Sequence, residues 1–218
     1  MVNSAKSERK RPPKEVIGLT GVTASGKTTV AKILQGFGFQ YITMRDALMR
    51  DLTAKNMPIT RENLRYYEEK LIERRGKSIL AINTRTHIIN EGGSSWIVEG
   101  IINPQQVAEF RKLPKFTLVG INAPLAVIQL RMQNMRRRRD ALKLDKIREK
   151  MDQELADEES GHYWHVGRCL ELADYILDNS TQFDDGVKIE TTELYAGVER
   201  MLRGLGSAAS LWRSLQEK

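Results

Sequence analysis

The sequence predicts an α/β fold in which helices cover both faces of a five-stranded parallel sheet. Two observations lead there. Short β-branched apolar runs alternate with segments of helical apolar spacing, and the first such run ends in a glycine-rich turn that opens directly onto a helix. Alternation of this kind places strands side by side in parallel, with right-handed crossovers set by chain chirality.

Residues 16–22 (VIGLTGV) form the first strand, apolar and β-branched until the glycine. Residues 28–36 (TTVAKILQG) carry apolar side chains at helical spacing and stop at Gly36 and Gly38. Residues 39–43 (FQYIT) are the second strand. From Asp46 to about Asn90 the pattern is helical and very polar. It breaks at Asn56-Met57-Pro58 and restarts at Thr60, a good N-cap. Such a stretch between two strands reads as an excursion away from the sheet, spanning residues 46–92. Residues 95–101 (SWIVEGI) are the third strand, 104–112 a helix, and 116–122 (FTLVGIN) the fourth strand, closed by Ala123-Pro124. Residues 125–139 are a helix that turns basic, and residues 142–159 are a second charged helix. Residues 175–178 (YILD) are the fifth strand. Residues 193–205 are a closing helix with Leu194, Val198, Met201 and Leu202 on its apolar stripe.

The chain has 218 residues, of which 40% are apolar, enough for one core over residues 15–206. Residues 1–14 read as a disordered basic tail and 207–218 as a C-terminal tail. No apolar run reaches the ~18 residues of a membrane span, and the polar N-terminus lacks a signal-peptide stretch. Cys169 is the single cysteine, which excludes an intrachain disulfide and a cysteine-based zinc site. These features point to the cytoplasm. The net charge of +7 suits either polyphosphate ligands or nucleic acid.

The most specific motif is Gly21-Val22-Thr23-Ala24-Ser25-Gly26-Lys27-Thr28, a complete G-x-x-x-x-G-K-[ST] between an apolar strand and a helix. Glycines let the backbone curl so that N–H groups converge on one anion, and the helix adds its positive end. Lys27 is expected to reach the β- and γ-phosphates of ATP, Thr28 to ligate Mg²⁺, and Thr29 to join the nucleotide-contacting set. A chance match in a loop is the alternative, which the strand–helix context disfavours. P-loops also serve GTPases, motors and helicases. There is no strand ending in a second acidic motif of the usual type, and no Asn-Lys-x-Asp guanine reader. The chain is short for a motor. Size and the early position of the P-loop both favour a small-molecule kinase.

The order strand, P-loop, helix, Gly36-Phe37-Gly38-Phe39, strand, Asp46 resembles the nucleoside monophosphate kinases and dephospho-coenzyme A kinases. Those families place an Asp and, within four residues, an Arg after the second strand, here Asp46 and Arg50. The Asp-x-x-x-Arg spacing is nearer the dephospho-coenzyme A kinase pattern. An Asp facing the P-loop orients an acceptor hydroxyl or a Mg²⁺-bound water, and an Arg beside it grips an acceptor phosphate. The bland alternative is that Asp46 only caps the helix beginning at Ala47. Thr60-Arg61-Glu62-Asn63-Leu64, Glu99-Gly100-Ile101, Asn103-Pro104 and Ala173-Asp174-Tyr175-Ile176-Leu177 resemble a branch of dephospho-coenzyme A kinase-like proteins, so the likeness covers residues 16–179. It implies a three-layer P-loop kinase fold with inserted helical acceptor and lid segments. The acceptor set it implies is Asp46, Arg50, Arg61, Glu99 and Gly100, with Thr28 and Glu99 as metal residues.

Two departures stand out. The third strand of such kinases ends in Asp-Gly, where this chain has Glu99-Gly100, and relatives carry an Arg two or three residues later, where this chain has Ile102 and Asn103. Glu99 as a plain strand-end surface carboxylate is the alternative. The resemblance also implies a lid over residues 131–157 whose Arg131, Arg136 and Arg139 stabilise the transferring phosphoryl. Its charge and scarcity of large apolar residues predict a mobile segment. Neighbouring helical residues point about 100° apart, so the four arginines at 136–139 cannot all face one site. The rival use of that block is a nucleic-acid patch. His162-x-x-His165 is two histidines with Tyr163 and Trp164 between them, a spacing better explained by packing than by metal. The expected function is ATP-dependent phosphoryl transfer to a nucleotide-like acceptor. The alternative is a nucleic-acid-associated or regulatory P-loop protein.

Overall fold

β1 (Val16–Thr20) is buried along its whole length, and a residue sequence with no polar side chain before Thr20 puts it at the centre of the sheet. The computed structural model describes residues 12–136, 144–155, 163–180 and 188–207. In it β1 pairs in parallel with β3 (Trp96–Glu99) on one side and β4 (Phe116–Asn122) on the other. β2 (Gln40–Thr43) and β5 (Tyr175–Asp178) close the edges, giving a five-stranded parallel sheet of order β2-β3-β1-β4-β5. The expected fold class is therefore the observed one.

Alternate residues of each strand feed two cores. Ile17, Leu19, Ile97, Val119, Ile121 and Leu177 pack against α1 (Lys27–Gly36) and the closing helix, α9 (Glu193–Gly204). Val16, Val98 and Leu118 pack on the other face, against α2 (Met44–Ala54), α4 (Ile79–Glu91) and α5 (Pro104–Phe110). A third, smaller cluster sits at the mouth of the P-loop. It joins Val22 and Ala123 to Ile128 and Met132 of α6 (Leu125–Arg136), Met151 of α7 (Leu144–Leu155) and Val166 of α8 (Val166–Glu171).

The register brings Thr43, Glu99 and Leu19 to one level at the carboxyl ends of β2, β3 and β1. In an open parallel sheet that edge is where ligands bind. The P-loop follows β1 there, and α2 follows β2.

Several boundaries depart from expectation for local reasons. β1 stops at Thr20 because Gly21, at φ 145°, leaves the strand conformation. The helical excursion resolves into α2, α3 (Arg61–Arg75) and α4; Asn56, at φ 54°, and Gly76, at φ 88°, separate them. α3 buries no residue fully, in keeping with its polar sequence, though Leu64, Tyr67, Leu71 and Ile72 lean on the second core. α2 begins at Met44, not Ala47, because Thr43 takes the cap. β3 covers only Trp96–Glu99, since Gly100, at φ 99°, turns the chain out of the sheet. α8 and a short 3₁₀ turn at Ile189–Thr191 have no counterpart in the sequence reading. Among the described residues no helix is long and apolar enough to cross a membrane.

Candidate nucleotide and acceptor site

The P-loop is shaped by residues that leave the ordinary backbone regions. Ala24 takes a left-handed φ of 65°, and Gly21 and Gly26 stand at φ 145° and 109°. A Cβ on Gly21 would lie 2.5 Å from the Ile121 carbonyl oxygen, and one on Gly26 would lie 2.0 Å from Nδ2 of Asn179. Both glycines are thus demanded twice, by torsion and by space. Val30 N–H makes the first bond of the helix, to Gly26 O at 3.0 Å. The N–H groups of Lys27, Thr28 and Thr29 precede that bond, so they are the ones a helix start offers to an anion. Ser25 contributes differently: its side chain is fully buried and its N–H donates to Val22 O at 3.1 Å.

Lys27 folds over the loop, donating from Nζ to Gly21 O at 2.8 Å and Val22 O at 2.9 Å. Its ammonium therefore spans the concave side of the loop. Thr28 is exposed on the first turn of α1, and its hydroxyl donates to Oε1 of Glu99 at 2.9 Å. The other oxygen, Oε2, accepts from the Tyr41 hydroxyl at 2.6 Å. Burial first, and then the carboxylates of Glu99 and Asp46, hold the Tyr41 phenol well above its usual pKa, so it stays a donor. Thr28 and Glu99 present hard oxygen atoms side by side, a donor set that suits Mg²⁺.

Asp46 does act as a cap. It is the third residue of α2, and its Oδ2 accepts from the Thr43 N–H at 2.5 Å, within a reciprocal capping box. This is not the N-cap role for a helix at Ala47 set out above, and it engages one of the two carboxylate oxygens. Asp46, Met49, Arg50, Thr53 and Ala54 line a cavity of about 530 Å³ beside α2. Arg50 is exposed there. Arg61 is exposed at the start of α3 and does not line that cavity. Gly100 supplies the positive φ that ends β3, and a Cβ there would meet only Met44 at ordinary contact distance, 3.6 Å. Asn103, one of the two positions where resembling kinases carry an Arg, is used for structure. Asn103 is fully buried and caps α5, accepting from Gln106 N–H at 3.0 Å.

Two observations bear on the described part of the segment expected to form a lid. Arg131 is engaged with the P-loop backbone and with Asn179. Its guanidinium lies behind the loop, donating to Ala24 O at 3.4 Å, Ser25 O at 3.3 Å, Asn179 O at 3.0 Å and Asn179 Oδ1 at 3.2 Å. The apolar side chains it does have are used as anchors: Met132 and Met151 are buried in the third cluster. α7 comes down onto the loop itself: the Thr23 N–H donates to Glu154 Oε2 at 2.7 Å, and the Thr23 hydroxyl donates to Glu154 Oε1. Arg136 ends α6; its side chain and the whole of Arg139 lie outside the described residues.

Three residues of the site escaped sequence reasoning. Asn179 follows β5 at the ligand edge, is buried, and donates from Nδ2 to Ser25 O at 2.7 Å. An amide side chain at a strand's carboxyl end was the available signal. Glu154 and Tyr41 gave none, since one is a Glu in a charged helix and the other an aromatic in a strand. His165, expected to be packing, is buried at the start of α8, and its backbone N–H donates to Ile102 O at 2.7 Å. No cluster of metal-ligating side chains of three or more occurs among the described residues.

The model of the AAA domain matches residues 17–163. A UPF0200 protein of Methanoculleus marisnigri is 30% identical over 172 residues, which cover 78% of this chain and 90% of that one. The chain belongs to the UPF0200 family and carries an AAA domain. A UPF0200 protein of Pyrococcus horikoshii is likewise 30% identical, over 78% of this chain and 90% of its own. Among solved structures, shikimate kinase from Bacteroides thetaiotaomicron superposes with a TM-score of 0.52 at 16% identity, over 88% of this chain and 98% of that one. Dephospho-CoA kinase from Campylobacter jejuni gives 0.50 at 16% identity, over 87% and 96%. The likeness drawn from residues 16–179 thus holds at the level of the fold: a P-loop domain built like small-molecule kinases.

Proposed function

We propose that this chain transfers the γ-phosphoryl group of ATP to a nucleotide-like small molecule, a nucleoside monophosphate or dephospho-coenzyme A type of acceptor. The observation that carries the reading is the meeting of Thr28 and Glu99 at 2.9 Å across the carboxyl edge of the sheet, with the cavity of Asp46 and Arg50 opening beside the next strand. A P-loop that merely bound nucleotide would need no open groove along α2 that sets Asp46 and Arg50 among Met49, Thr53 and Ala54. The folds of the two kinases named above support the reading.

In this mechanism the N–H groups at the start of α1 hold the β-phosphate, and Lys27 leaves the Gly21 and Val22 carbonyls to meet the β- and γ-oxygens. Thr28 and Glu99 would hold Mg²⁺, which supplies charge neutralisation at the β- and γ-oxygens. Asp46 keeps one carboxylate oxygen on its cap and turns the other to the acceptor hydroxyl, orienting it for in-line attack and accepting its proton. Arg50 grips an anionic group of the acceptor.

The test is an acceptor screen. ADP release from ATP is followed with each nucleoside monophosphate, dephospho-coenzyme A or RNA added, using Lys27→Ala as the blank. Acceptor-dependent ADP release lost in Lys27→Ala supports the reading. Stimulation by RNA alone would replace it with a nucleic-acid-associated NTPase.

A further inference from the structure

We propose that Tyr41 is a positioning residue for Glu99, pinning the carboxylate of this chain's longer acid at the divalent-cation position beside Thr28. The inference rests on the Mg²⁺-dependent nucleotide site just described.

The geometry is specific. In the β2–β3 register Tyr41 stands opposite Ile97, and Thr43 opposite Glu99. Tyr41 is therefore the diagonal neighbour of Glu99, two residues back on the adjacent strand and on the same face, within reach of an aromatic side chain. Its ring leans on the core beneath α1, which fixes the direction of the C–O bond. From there the hydroxyl donates to Oε2 at 2.6 Å, while Oε1 accepts from the Thr28 hydroxyl at 2.9 Å. Each oxygen has its own partner, and the carboxylate bridges β2 to the first turn of α1.

The need for such a strut follows from side-chain length. A Glu at the end of β3 has one more rotatable bond than an Asp and would sweep a larger arc across the site. Tyr41 removes that freedom. It also does so without charge: a Lys or Arg in its place would neutralise Glu99 and compete with the cation, whereas a phenol donates and leaves the full negative charge available. Groups that orient a metal-holding side chain in this way set metal affinity although they never touch the ion.

The experiment uses the full-length chain and measures binding of a fluorescent ADP analogue as Mg²⁺ is titrated, a readout independent of turnover. Tyr41→Phe keeps the ring and removes the hydroxyl. The half-saturating Mg²⁺ concentration is expected to rise on the order of 10-fold, with metal-free nucleotide affinity and Tm little changed. In a Glu99→Asp background, where the acid is too short to span both partners, adding Tyr41→Phe is expected to have no further effect. Equal half-saturation in wild type and Tyr41→Phe would overturn the proposal. So would an equal loss of affinity with and without Mg²⁺, which would make Tyr41 a packing residue, or wild-type binding indifferent to Mg²⁺. A chain that binds Mg²⁺–nucleotide as described but phosphorylates no acceptor would overturn the kinase reading alone.

Discussion

Thr23 gives both its backbone N–H and its hydroxyl to the carboxylate of Glu154, so an acidic side chain from α7 sits on the P-loop's own anion-facing surface. A carboxylate there makes the charge-assisted contacts that a phosphate oxygen would make. The expectation is that nucleotide competes with Glu154 for Thr23. Hydrogen bonds to a charged group contribute about 1.5–3 kcal/mol net, and this pair is half exposed, so the lower end applies. Glu154→Gln is expected to tighten ATP binding roughly 3- to 10-fold, measured by calorimetry, since about 1.4 kcal/mol is tenfold. Weaker binding in the variant would mean that Glu154 supports the nucleotide-bound loop instead of opposing it.

Gly26 is held against Asn179, whose Nδ2 would lie 2.0 Å from a Cβ at that position, and its φ is 109°. Gly26→Ala must either push the amide off Ser25 O or distort the loop. The expected result is loss of nucleotide binding with a fall in Tm, because the buried Asn179 amide loses its place. Asn179→Ala opens the space and is expected to restore part of the thermal stability of Gly26→Ala, an interaction that a thermal-shift double-mutant cycle reads directly. Additive losses would show that the contact does not shape the loop.

Much of this architecture was legible because it is written in periodicity. The runs at 116–122 and 175–178 are strands with the expected bounds, since short runs dominated by apolar and β-branched residues leave few alternatives. The P-loop was legible because glycine spacing, Lys27 and Thr28 each answer to a separate physical need. The rest depends on distance across the fold. Nothing local distinguishes Arg131, which holds carbonyls behind the loop, from an arginine aimed at a phosphate, or Glu154 from the other acids of its helix. Asn103 looked like a missing arginine and is a buried helix cap. Such roles belong to tertiary geometry, and the sequence window that would reveal them does not exist.

Asp46 can be separated into its two roles by choice of substitution. Its Oδ2 accepts from Thr43 N–H, and an amide oxygen can keep that bond while losing the charge. Asp46→Asn is expected to leave Tm nearly unchanged and to lower kcat on the order of 10²-fold or more if the carboxylate takes the acceptor proton. Asp46→Ala is expected to lose the cap as well, at a cost of about 1 kcal/mol in stability. Steady-state kinetics beside thermal melts checks both. Unaltered kcat in Asp46→Asn would leave Asp46 a cap and nothing more.

Arg131 offers the sharpest distinction between a lid arginine and a loop brace. Its guanidinium donates to Ala24 O, Ser25 O and both oxygens of Asn179, among its contacts. Burial lowers its pKa, yet a guanidinium remains charged at any working pH, so the carbonyls it meets are held by a permanent cation. Lys offers one ammonium in place of a planar fork and cannot serve carbonyls from two segments in the same geometry. Arg131→Lys is therefore expected to weaken ADP and ATP binding together, several-fold, and to lower Tm. The reason is that the loop presenting its N–H groups loses its backing before any phosphoryl is transferred. An arginine that stabilised only the transferring group would instead lower kcat and leave ADP affinity intact. Calorimetry with ADP decides between them: full affinity in Arg131→Lys would return Arg131 to the lid.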